Sequence, residues 1–372
     1  MKILFCNIAW MKSYKGINED DAPSYGGEHS RKSKEGTEGV NFRDYNGKCY
    51  GFFELKGSIN LEKYFEEATA EQASVEKVLV IWVAANQKSE TKIVGWYTDA
   101  TLFREVQAIE SYFFPEFSRY YRIEALSKNC HLLSESDRDY PVDLNGLAQF
   151  AAKIQHSNAW YYDDTKQEAT GLPQLREYIE ENQGSFLQTY LSEELLDERL
   201  PESDKDHRGY QELLDKGREL YDNWETLKAL KYFNTARAVS ETTEVLWEIY
   251  YCLFELIRLD RAKVGMDRIV EMEGPDKDTV RQYIGIYDAL GNREKTLEYC
   301  ENYMQYEPQS SEDKEVLVGI SNVMFSIYYT RKDRKNAEAS LKRAMKYTSD
   351  NKTLSIMNKS MEFLNSASRS WK

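Results

Sequence analysis

The stretch ALGNREKTLEYCENYMQYEP, Ala289 to Pro308, carries a helical pattern up to a Gly-Asn turn, a second one after it, and a closing proline. The same grammar recurs through the second half of the chain. Gly217, Ala229, Phe233 and Ala236 mark one unit, then Trp247, Ala262, Met266 and Ile269. Tyr287, Thr296, Cys300, Tyr303 and Pro308 mark the next, and Tyr328, Ala337, Leu341 and Ala344 the last. The small anchors Ala229, Ala262, Thr296 and Ala337 stand 33, 34 and 41 positions apart. A small residue where two helices cross, a large one a turn later and another small one after that describe a helix pair. Such a pair is too small to bury its own apolar face, so it must stack on its neighbours.

These positions resemble the tetratricopeptide (TPR) repeat over residues 208–350, with NKTLSIMNKSMEFLN as a capping helix within 351–372. Two features depart from the pattern: the last spacing is long, and the second unit lacks the expected glycine. The resemblance implies a solenoid that binds a protein partner or effector through its face, and no catalysis of its own. A plain helical bundle is the alternative.

Upstream the pattern changes to strands, so a chain of 372 residues is expected to form two domains. KVLVIWVAA (Lys77–Ala85) is continuously apolar and β-branched, as for a strand buried on both faces. TKIVGWYTDATLF (Thr91–Phe103) follows a polar turn and completes a hairpin. KCYGFFELKG (Lys48–Gly57) and SRYYRIEAL (Ser118–Leu126) read as further strands. Helices are expected in NLEKYFEEA (Asn60–Ala68), GLAQFAAKI (Gly146–Ile154) and GLPQLREYIEEN (Gly171–Asn182), with Asn60 and Asn145 as caps. The expectation is an α+β chain: a curved, mixed β domain over 1–185, a linker over 186–207, then the helical repeats.

The totals narrow the class. Charged residues are 30% and hydrophobic ones 41%, an ordinary globular balance. No run approaches the ~18 apolar residues of a membrane span, so no membrane partner is expected. The opening MKILFCNIAWMKSY reads as a buried first strand rather than a signal peptide. Five cysteines without a CxxC pair point to reduced thiols, a cytoplasmic setting and no zinc site. A formal charge of −14, shared by both halves, lacks the basic face of a non-specific nucleic-acid binder. Any such role rests on a local patch such as HSRKSK, ending at Lys34, or on a pocket that reads one base.

Neither phosphate-loop fingerprint is present, nor HExxH or GxSxG, so no cofactor is expected. His29, His131, His156 and His207 are scattered. DYNGKCYGFFELK places Asp44 ahead of Glu54 and Lys56, the arrangement by which PD-(D/E)xK-type nucleases hold Mg²⁺ and activate water. The same residues also suit an exposed strand face. The aromatic set is fuller: Trp10, Trp82, Trp96, Tyr97 and Trp160 lie in or beside expected strands. Alternation sends Trp96 and Tyr97 to opposite faces, which leaves one of them for the core. Rings stack on bases for ~1–3 kcal/mol each, and Asp99, Ser157 and Asn158 are suited to a base edge. The alternative is that the rings are core. KIQHSNAWYY (Lys153–Tyr162) is expected to follow a helix ending near Ile154, with Ser157, Asn158 and Trp160 walling a base-sized pocket.

MKILFCNIAWMKSYKG, VLVIWVAA, KIVGWYTDATLFR and HSNAWYY together resemble an amino-terminal domain of bacterial restriction and defence proteins, similar to the PUA-like group (EVE, YTH and ASCH relatives). The resemblance implies a barrel-like domain holding a modified or flipped base of a nucleic acid between aromatic walls. Gln155-His156 stands where that pattern has Gly-Gln, and no nuclease module follows. The combined expectation is a modified-base reader joined to a protein-interaction solenoid in antiviral defence. The alternatives are a Mg-dependent nuclease, a base-excising glycosylase, or a peptide-binding scaffold.

Overall fold

The computed structural model describes residues 2–23, 37–143, 145, 151–155, 157–163, 173–182, 186–187, 190–201 and 209–367. The chain forms two compact units: Met1–Ala108 with Arg119–Glu198, and Ile109–Ser118 with Arg199–Lys372.

In the first unit the strands are β1 (Lys2–Ile8), β2 (Lys48–Gly51), β3 (Ser74–Ala85), β4 (Thr91–Ile109), β5 (Arg119–Leu126), β6 (Cys130–Leu133), β7 (Ala152–Lys153), β8 (Ala159–Asp163) and β9 (Phe186–Leu187). They form one sheet in the order β2-β5-β4-β3-β1-β8-β7, with β6 on β4 and β9 on β6. The β3–β4 hairpin expected from the sequence is present, and β1 runs parallel to β3 from Lys2 against Val78. Helices are few: α1 (Leu61–Tyr64), α2 (Pro173–Glu181) and α3 (Glu193–Leu196). Asn60 caps α1 by accepting from the Lys63 N–H, but the helix stops after one turn. Part of the expected Gly146–Ile154 helix lies outside the described residues, and its end is β7 instead.

The sheet is open, where a barrel was expected. Alternation explains why. Val78, Val80 and Trp82 point into one apolar cluster with Leu4, Cys6 and Tyr97. Leu79, Ile81 and Val83 point into another with Ile3, Phe5 and Trp96. With an apolar layer on each face, the unbroken hydrophobic run of β3 is satisfied without closure. For the same reason Trp96 and Tyr97 are both core, at 1% and 0% exposed, although they face opposite ways.

In the second unit four helix pairs follow one another: α4 (Tyr210–Asp222) with α5 (Thr226–Val239), α6 (Thr243–Glu255) with α7 (Leu259–Glu273), α8 (Lys277–Ala289) with α9 (Arg293–Tyr303), and α10 (Ser311–Thr330) with α11 (Arg334–Tyr347). The final helix is α12 (Asn351–Ala367). First helices start at 210, 243, 277 and 311, which is 33, 34 and 34 residues apart. The long last interval between second helices arises because α10 has 20 residues where α6 and α8 have 13. The anchors Ala229, Ala262, Thr296 and Ala337 are all buried, at 1% exposure or less. A Cβ on Gly217 would sit 2.4 Å from the Phe233 ring, so only glycine lets α4 and α5 cross there. Side-chain caps punctuate the repeats: Thr242, Asp276 and Ser310 each accept a hydrogen bond from the backbone N–H three residues on. Between the helices of each pair one residue takes the left-handed conformation: Trp224, Ile257, Gly291 and Lys332, at φ of 62°, 55°, 69° and 58°. This is a helical-repeat array of TPR type, and α12 covers its last pair through Met357 and Leu364.

Candidate functional site

The second unit begins with a short segment far from the rest in sequence, Ile109–Ser118, reading IESYFFPEFS. Four rings in the six residues Tyr112–Phe117 are an unusual composition for a surface turn. They lie against the face made by the first helices. Asp288, near the end of α8, is 2% exposed and gathers the segment's start. Its carboxylate accepts from Ser111 Oγ at 2.6 Å, from the Tyr112 N–H at 2.9 Å and from the Phe113 N–H at 2.8 Å. Burial still pushes the Asp288 carboxyl up, against the opposing pull of Ser111 and the Phe113 and Tyr112 amides. Arg293 forms an ion pair with Glu110 and lies 5.7 Å over the Tyr112 ring.

Beyond this anchor the contact is aromatic. Phe114 meets Phe254 of α6 edge-on at 5.1 Å and stacks with Phe117 at 5.4 Å. Phe254 continues into Tyr250, Tyr251 and Trp247. Two helix glycines lie beneath these rings, with room for an ordinary Cβ contact at each. A Cβ on Gly285 would meet Phe114 at 3.4 Å, and one on Gly319 would meet Phe113 at 3.5 Å.

The segment leaves a groove of about 1000 Å³ beside it. Its walls are Phe113, Phe114 and Phe117, the α4 end at Tyr221 and Asp222, then Trp224, and residues of α6, α8 and α10. Trp224 is 84% exposed and Tyr251 42%. Tyr250 is held in place by donating to Gln282 Oε1 at 2.9 Å. The described lining carries five carboxylates, Glu116, Asp222, Glu255, Glu312 and Glu315, against Arg281 as its one basic residue.

The residues singled out in the first unit are placed as follows. Trp82 and Tyr97 lie in one apolar layer, Trp96 and Trp160 in the other. The sheet therefore does not gather these rings on one face. Trp10 packs against the first layer, donates to Glu135 Oε1 at 3.1 Å and is covered by the Arg138 guanidinium at 4.9 Å. Arg138 in turn donates to the Met11, Lys12 and Leu133 carbonyls, so this cluster fixes loops. Asp99 is exposed at a left-handed φ of 51°. Ser157 is buried in a turn rather than on a strand. Its hydroxyl donates to the Ile154 carbonyl at 2.5 Å and accepts from the Ala159 N–H at 3.1 Å. Asn158 is exposed, and its carbonyl accepts from the Asn7 N–H. KIQHSNAWYY is thus a β7–β8 hairpin with Gln155 at φ 42°, not a helix followed by a strand. His156, His29, His207 and the HSRKSK stretch lie outside the described residues.

Asp44 accepts from Gly47 N–H, Ser127 Oγ and Leu191 N–H, so both its oxygens stabilise turns. Glu54 and Lys56 are exposed beyond the end of β2, on a loop whose Leu55 and Gly57 carbonyls are held by Arg122. Among the described residues no three His, Cys, Asp or Glu side chains form a metal-binding cluster. Also among them, no helix is long and apolar enough to cross a membrane.

No protein-family model and no curated protein matches the chain. Two solved structures are similar over 42% of it. One belongs to the functional characterisation of Pseudomonas aeruginosa pilF, at 12% identity over 68% of that chain with a TM-score of 0.32. The other is YrrB, a TPR protein with an unusual peptide-binding site, at 10% identity over 95% of that chain with a TM-score of 0.30. The repeat assignment stands on the helix pairing and its spacing rather than on these distant likenesses.

Proposed function

We propose that the chain is a protein-interaction scaffold whose first-helix face binds a peptide segment of a partner. One observation supports this: the face already holds a turned aromatic segment, Ser111–Phe117, whose Tyr112 and Phe113 amides donate to the buried Asp288 carboxylate. Alongside runs a groove with an exposed tryptophan at a left-handed position, Trp224. A bulky residue costs ~1–2 kcal/mol in that conformation, and an exposed ring returns nothing to the core, so a binding role gives it a reason.

Reading of a modified base by a PUA-like first unit, in a defence setting, has the resemblance of its sequence stretches behind it and less in its packing. A base would have to compete for rings that already belong to the two apolar layers of the sheet.

The test is selection of a displayed peptide library on the full-length chain. Enriched peptides should lose binding to the Trp224→Ala and Tyr251→Ala variants, both at exposed positions. Peptides that bind these variants as well as the parent would refute the groove as the binding face.

A further inference from the structure

The groove's chemistry names the class of peptide, an inference that rests on the scaffold reading above. Five carboxylates line it against one arginine, and Arg281 already has Glu312 3.8 Å away. Glu255, Glu312 and Glu315 are all exposed, on α6 and α10. The same lining holds Trp224, 84% exposed, and Tyr251, 42% exposed with its ring stacked on Trp247. Like charges concentrated in one concave lining repel each other and draw in cations. An aromatic wall beside them adds the attraction of a ring face for a guanidinium or ammonium group, best with tryptophan. The same lining repels an acidic peptide and any nucleic-acid backbone.

We infer that the groove takes a basic peptide, one that sets an arginine or lysine against Trp224 or Tyr251 and neutralises the Glu312–Glu315 edge. The chain's own segment forms one wall and contributes Glu116, so the peptide lies beside Phe113–Phe117 rather than in place of it.

The library selection separates this inference from the reading it rests on. Sequences enriched on the full-length chain should carry net positive charge. Their affinity should fall steeply as salt is raised from about 50 to about 500 mM, where screening shortens to a few ångströms. Glu312→Gln with Glu315→Gln keeps shape and removes two charges, and should weaken binding about two- to thirtyfold, the range for two exposed pairs. Neutral or acidic winners, or indifference to salt and to both glutamines, would overturn the charge assignment. The groove itself would survive that result provided Trp224→Ala and Tyr251→Ala still abolish binding. Winners indifferent to all four substitutions, or a selection that enriches nothing, would overturn both.

Discussion

Replacing Asp288 by alanine should unseat the Ser111–Phe117 segment while leaving the helices folded. Three donors converge on this carboxylate, at 2.6, 2.9 and 2.8 Å. A hydrogen bond to a charged acceptor is worth ~1.5–3 kcal/mol net when its partner would otherwise be buried unpaired. Two discounts apply. Tyr112 and Phe113 are only half-buried, so their freed amides regain water. Burial also raises the carboxyl's pKa, meaning that part of the bonding gain is spent on desolvating the charge. About 1 kcal/mol per donor, or ~3 in all, is then the expected loss, and at 1.4 kcal/mol per tenfold that is about two decades of local opening. The Phe114 and Phe117 contacts should persist in part, so the loss is local. Amide hydrogen exchange read at Tyr112 and Phe113 is the assay, with circular dichroism to confirm the helices. Asp288→Asn, which keeps one acceptor oxygen but turns an N–H₂ toward the donors, should fall between parent and alanine. Unchanged exchange at both amides in a folded Asp288→Ala protein would refute the capture argument.

Three further outcomes follow from packing and titration. Gly217→Ala should lower stability by about 1–3 kcal/mol in urea unfolding, because the 2.4 Å clash with Phe233 outweighs the better helix propensity. A loss below that of a surface substitution would mean that α4 and α5 can move apart freely. Lys332→Gly should raise stability by about 0.5–1 kcal/mol, since Lys332 is exposed at φ 58° where the third repeat already has Gly291. A decrease would show that its aliphatic stem matters more than its backbone. Glu38 is pushed by burial from the ordinary carboxylate range to about 7, partly opposed by the Ala9 N–H it accepts. A raised folded pKa means the folded state binds the proton more tightly, so this group's penalty grows as pH climbs from about 4.5 through about 7. Glu38→Gln should therefore stabilise the chain at pH 8 relative to parent and do little at pH 5, and equal effects at both would contradict the assignment.

What the sequence revealed and what it hid divide along the range of the interactions. Repeats were legible because each anchor meets its partner within one helix pair: Gly217 with Phe233, Ala229 and Ala262 at successive crossings. The first helices carry a sharper signal. The first-helix caps Thr242, Asp276 and Ser310 recur at a strict 34 residues, which the second-helix anchors miss because α10 is two turns longer. The β3–β4 hairpin and the facing of Trp82 were equally local, set by period-two alternation. Alternation says which residues share a face, but not whether that face is covered. That is why Trp96 looked like a surface ring for a ligand and is instead core, under Leu175 and Ile179 of α2, far away in sequence.

The same limit applies to the polar groups of the β7–β8 turn and to Asp288. Ser157 and Asn158 looked costly to bury beside so many rings. A hairpin turn resolves the cost with bonds to Ile154, Ala159 and Asn7, none of which a base is needed to supply. Asp288, by contrast, is the penultimate residue of an ordinary amphipathic helix, and within its own repeat only the charge of Arg293 favours a buried carboxylate there. Its donors lie more than 170 residues earlier, at Ser111–Phe113. The sequence clue was at that other end. Four rings around a proline fall where the chain turns between β4 and β5, a place that polar turn residues normally occupy. Such a run is too apolar to stay in water and too short to make a core, so it required an apolar face elsewhere in the chain. The face that meets it is that of the first helices, where Phe114 packs edge-on against Phe254 and Asp288 accepts from the Tyr112 and Phe113 amides.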